Sequence, residues 1–94
     1  MNTYRELDDA VIAAQGLLQV TVELLRDLEG AGKLGTHVRA DIRRNLRACH
    51  LHTLERQIPN DQRAHVWLVS TKTPLGEMFW EVVQEIRRTD RRAA

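Results

Sequence analysis

An all-α fold is what this sequence predicts: three or four helices built on a long antiparallel helical hairpin, with dimerisation completing the core. Two observations lead there. Apolar residues recur at helical spacing from Thr3 to Glu29 and again from about Val38 to Gln57, and the stretch between the two, EGAGKLGTHV (29–38), is rich in glycine. A third amphipathic pattern follows Thr73-Pro74, the pairing expected of an N-cap and first helical position. The expectation is one helical domain over residues 1–94, with helices at about 3–29, 37–58, 61–70 and 74–89.

The first segment holds no proline and one internal glycine, Gly16. Tyr4, Val11, Leu18 and Leu25 fall seven apart, as do Leu7, Ala14, Thr21 and Leu28, so the two series trace a coiled-coil-like seam with one polar interruption. Leu17, Val20 and Leu24 widen the apolar arc beyond what one buried face of a small monomer needs. Leu7, Val11, Leu18, Leu25 and Leu28 are therefore the candidate seam of a homodimer.

In the second segment Val38, Ile42, Leu46, Cys49 and Thr53 form one stripe, and Pro59, which lacks an amide hydrogen, ends the helical pattern. The run HVWLVST (65–71) has the branched and aromatic residues of a strand, but no partner segment is evident, so a short helix is expected there. In the last segment Leu75, Phe79, Val82 and Ile86 share a face, with Met78 and Val83 beside them.

The glycine stretch raises the possibility of a phosphate loop. A Walker-type loop needs glycine at position 27 and a hydroxyl residue after Gly32-Lys33, and it follows a strand. Here those positions hold Asp27 and Leu34, and a helical pattern precedes them. The stretch reads as a connector, with Gly30 ending one helix in the left-handed conformation and Thr36 capping the next.

Composition narrows the function. A chain of 94 residues with 43% apolar and 29% charged residues suits one small folded domain. Its net charge of +1 lacks the bulk basic excess of a non-specific nucleic-acid binder. The single cysteine, Cys49, excludes an intrachain disulfide and fits a reducing compartment, no apolar run is long enough to span a bilayer, and the acidic start MNTYRELDD is unlike a secretory signal. A cytoplasmic location is expected. Twelve of the fourteen cations are arginine, which fits a GC-rich coding sequence of bacterial or phage type.

No catalytic, cofactor or metal signature emerges. His50 and His52 lie two apart and diverge on a helix, and Cys49 with His52 supplies only two of the four ligands of a structural zinc. Cys49 falls on the apolar stripe, where a thiol is inert, and Ser70 has no recognisable base.

What remains is recognition. Arg39, Arg43, Arg47 and His50 align along one side of the second helix, as a nucleic-acid-binding stripe would, while Glu77, Glu81 and Glu85 form an acidic line able to face them. Trp67, Phe79 and Trp80 are three of the four aromatics, and with Arg43 and Arg47 they form a candidate partner interface. The expected function is non-enzymatic: a small regulatory protein that binds and modulates another protein, such as a transcription factor or effector complex, by fold-level analogy with helical anti-activators. The alternative is a dimeric nucleic-acid-binding regulator using the arginine stripe.

Overall fold

The computed structural model describes residues 1–32 and 34–93, the last three by backbone only, and Lys33 of the glycine connector lies outside the described residues. The fold is α+β, not all-α. The element order is α1 (Tyr4–Ala13), β1 (Leu17–Thr21), α2 (Val22–Leu28), α3 (Thr36–Ala48), β2 (Leu51–Thr53), β3 (His65–Ser70) and α4 (Pro74–Ala93). The three strands form one antiparallel sheet in the order β1-β3-β2.

The expected helix over 3–29 is broken into α1, β1 and α2, and the break is chemical. Beyond the Ala14 C-cap, Gln15 and Gly16 both take positive φ, at 67° and 95°. The Gly16 amide donates to the Val11 carbonyl at 2.8 Å and the Gln15 amide to that of Ile12 at 3.0 Å. These two bonds are the paired closure of a left-handed helix end. Thr21 then caps α2 by accepting from the Leu24 amide at 3.2 Å.

The expected helix over 37–58 likewise stops early, at Ala48, with His50 at φ 60°, and the chain leaves as β2. The helix expected over 61–70 is instead β3, the central strand: its missing partners are β1 and β2, which the helical reading had hidden. Gly30 does take the left-handed conformation, at φ 71°. Thr36, however, does not cap α3, because the N-cap is Gly35 and no side chain accepts there.

The core lies between one sheet face and the first three helices. Leu7 and Val11 of α1, Val22 and Leu25 of α2, and Ile42 and Leu46 of α3 meet Val20, Leu51, Val66 and Leu68 of the sheet, all buried. The proposed dimer seam is thereby corrected. Leu7, Val11 and Leu25 are wholly inside this chain, and Leu18 and Leu28 pack against the same cluster, so the seam is an intrachain core.

α4 covers the opposite face. Side chains alternate along a strand, so Trp67 and Val69 point away from the core, as does His52, the register partner of Val69. Trp80 of α4 stacks on His52, and Val69 is fully buried on that side. The Thr73 hydroxyl accepts from the Gly76 amide at 3.0 Å, confirming the Thr-Pro start of α4. The Lys72 ammonium, just before α4, donates to the Asp8 carboxylate of α1.

Candidate functional site

Two features of α4 define the region of interest. Along the side turned to the body, Gly76, Trp80, Val83, Arg87 and Asp90 recur at intervals of four, three, four and three. Trp80 lies on His52 with ring centroids 4.2 Å apart and planes 10° from parallel. The Arg87 guanidinium sits 5.3 Å from the Trp80 ring centroid and donates to the Leu54 carbonyl at 3.0 Å. Asp90 pairs with Arg56 at 2.7 Å.

The second feature is the neighbouring stripe. Leu75, Phe79, Val82 and Ile86, with Met78 at the edge, are between 38% and 56% exposed. At about 100° per residue this stripe is turned roughly a quarter circle from the side that meets the sheet. The same side of the molecule exposes Trp67, at 41%. A 20-residue amphipathic helix thus leaves its main apolar face uncovered.

Where α3, β2 and α4 meet, a cleft of about 230 Å³ opens. Its lining is Arg43, Leu46, Arg47, Leu51, His52, Thr53, Trp80 and Arg87. Leu46 and Leu51 make a buried apolar floor, and three guanidiniums stand around the cleft without a carboxylate among them. Burial first, then the charges of Arg47, His50 and Arg87, hold the His52 imidazole below its ordinary pKa of 6.5. Burial, then Arg56 and Arg43, lowers that of Arg87. Both shifts describe a partly dry site crowded with positive charge.

The four residues expected to form a nucleic-acid stripe do not stand as one free line. Arg39 is half-buried and donates to the Ile58 carbonyl at 3.3 Å, while Arg43 donates to that of Arg56, so both hold the segment after β2 against α3. His50 lies beyond the end of α3, and Arg47 alone among them is an exposed helical cation. Nor do Glu77, Glu81 and Glu85 face the arginines: all three are exposed, and Glu85 pairs with Arg88 along its own helix at 2.7 Å.

Of the expected partner interface, Arg43, Arg47 and Trp80 come together in the cleft, whereas Trp67 and Phe79 lie outside its lining. Sequence reasoning missed Arg87 and His52 as members. The four-residue step from Arg43 to Arg47 is visible in the sequence; that α4 folds back over β2 to add Arg87 is not, because the apolar helical spacing of the second segment runs on through β2. Cys49 is a half-buried free thiol raised above its usual pKa, chiefly by burial. Among the described residues no three His, Cys, Asp or Glu side chains converge as a metal site would require. No described helix is long and apolar enough to cross a membrane.

Compared with known protein families, with curated proteins and with solved structures, the chain matches none.

Proposed function

We propose that this chain is a non-enzymatic regulatory protein that acts by binding another protein, with α4 as its docking element. The observation that carries the reading is the uncovered apolar stripe of Leu75, Phe79, Val82 and Ile86, together with Met78. Exposing that much contiguous apolar side chain in water is unfavourable, and a folded domain that retains it has a surface suited to a helical partner.

The stripe also specifies what fits. Its intervals of four, three and four are those of a helix-pairing seam. Set against itself about a two-fold axis, a seam of that spacing meets the same residues on both sides, apolar against apolar. A second copy of this chain, α4 against α4 about a two-fold axis, is the occupant that matches, and the proposed resting form is a homodimer. A partner helix of the same apolar spacing would exchange into that face, which is how sequestration would operate. The single thiol fits action in the cytoplasm.

Sedimentation tests this directly. Val82→Asp combined with Ile86→Asp alters residues already more than half exposed, so the circular dichroism spectrum and melting temperature of the monomer should be retained. The unmodified protein is expected to sediment as a dimer at micromolar concentration and the double variant as a monomer. A monomeric unmodified protein under those conditions would refute the reading.

A further inference from the structure

The geometry points to the cleft between α3, β2 and α4 as a binding site for a phosphate monoester. Arg43 and Arg47, one turn apart on α3, and Arg87 on α4 reach the same cleft from two elements. Each of two guanidiniums is fixed before any ligand arrives. Arg43 is held by the Arg56 carbonyl, and Arg87 by the Leu54 carbonyl and the Trp80 ring. A guanidinium has five N–H donors, so both keep several free. Arg47 has neither a hydrogen bond nor an ion pair through its side chain among the described residues.

No carboxylate lines the cleft, and the nearby ones are engaged. Asp90 is paired with Arg56, and Glu55 accepts from the Trp67 amide through both oxygens, at 2.8 and 3.1 Å. Three cations gathered over a buried apolar floor repel one another, and an anion placed among them relieves that repulsion.

The class of anion follows from number and shape. Guanidiniums arriving from α3 and from α4 suit a tetrahedral dianion with three terminal oxygens better than a planar carboxylate, which accepts at two. The volume, about 230 Å³, holds a phosphoryl group and a short organic stem. It is below the range of roughly 300–1,000 Å³ typical of drug-sized ligands. Trp80 is already covered by His52 and flanked by Arg87, so a nucleobase finds no free aromatic face in the site. A compact phosphomonoester and a phosphorylated side chain of a protein present the same group.

The test is a titration of isotope-labelled protein followed by the indole N–H resonance of Trp80, distinguished from that of Trp67 in a Trp67→Phe variant. Inorganic phosphate at millimolar concentration is expected to shift the Trp80 signal saturably and leave Trp67 unmoved. Arg47→Gln, at an exposed position whose loss does not endanger the fold, is expected to weaken binding at least tenfold, the usual scale for a hydrogen bond to a charged group. An equal shift from chloride at matched ionic strength would overturn the proposal, as would unchanged affinity in Arg47→Gln or no saturable shift at all. Phosphoserine and a neutral phosphoserine peptide separate the sources. Equal affinity identifies a small phosphomonoester, and an affinity at least tenfold higher for the peptide identifies a phosphorylated protein segment.

Discussion

Gly76→Ala separates what the sequence suggests from what the fold requires. Gly76 is the third residue of α4, and on helix propensity alone alanine there should stabilise the protein by up to about 1 kcal/mol. The structure gives the opposite sign. A Cβ at this position would overlap the backbone carbonyl oxygen of Ser70, the last residue of β3, and would stand 2.8 Å from the Thr73 Oγ1 that caps the helix. Ser70 belongs to the central strand and is fully buried, so its carbonyl cannot step aside cheaply. The helix must move instead. Lifting α4 disturbs the cap, uncovers Val69 and separates Trp80 from His52.

Overpacking of this kind costs about 1–3 kcal/mol, and a backbone obstacle places Gly76→Ala near the upper end. Exposure of Val69 alone would contribute about 2 kcal/mol. For a domain of this size about 3 kcal/mol lowers the melting temperature by roughly 12–24 °C. Thermal unfolding followed by far-ultraviolet circular dichroism measures it. A variant that melts at or above the temperature of the unmodified protein would show that α4 does not seat on β3 as described.

Three further expectations follow from particular contacts. Gln15 holds a left-handed conformation that costs a non-glycine residue about 1 kcal/mol, and its side chain is exposed, so Gln15→Gly should raise the unfolding free energy by up to that amount in a urea titration. Lys72→Met would leave the largely buried Asp8 carboxylate, whose Oδ1 already lacks a hydrogen-bond partner, without its cation; a loss of about 1–3 kcal/mol is expected, and Asp8→Asn in the same background should recover part of it. The folded state resists protonating His52, chiefly through burial and then through Arg47, His50 and Arg87, while the unfolded chain protonates near pH 6.5. The associated stability is therefore complete above that value and declines as pH falls below it, so His52→Phe should melt with a shallower pH dependence between about pH 7 and pH 5.

What the sequence revealed and what it concealed divide at two residues. The apolar face of α4, its Thr-Pro start and the left-handed Gly30 were readable because each follows a common local rule. The ends of α1 and α3 were not, because Gln15 and His50 occupy left-handed positions where glycine is usual. With those stops unseen, Leu17, Leu18 and Val20 fell into a helical period by coincidence, and β3 was left without partners. The same error hid the cleft, since Arg87 meets Arg43 and Arg47 only where α4 lies over β2.

A proline pair tests the strand that replaced the helix. In a helix over 3–29, proline at position 19 or 20 would cost about the same, roughly 3 kcal/mol or more. In β1 the two positions differ. Gly16 accepts from Ser70 and Val22 donates to Ala64, so the even-numbered residues of β1 bond to β3 and Gln19 turns its amide to the open edge of the sheet. An edge strand tolerates proline where the missing amide faces solvent. Gln19→Pro should therefore fold with a loss of about 1 kcal/mol, while Val20→Pro deletes a ladder bond and displaces a buried core side chain, removing most or all of the stability of so small a domain. Equal destabilisation of the two variants would restore the helical reading of this segment.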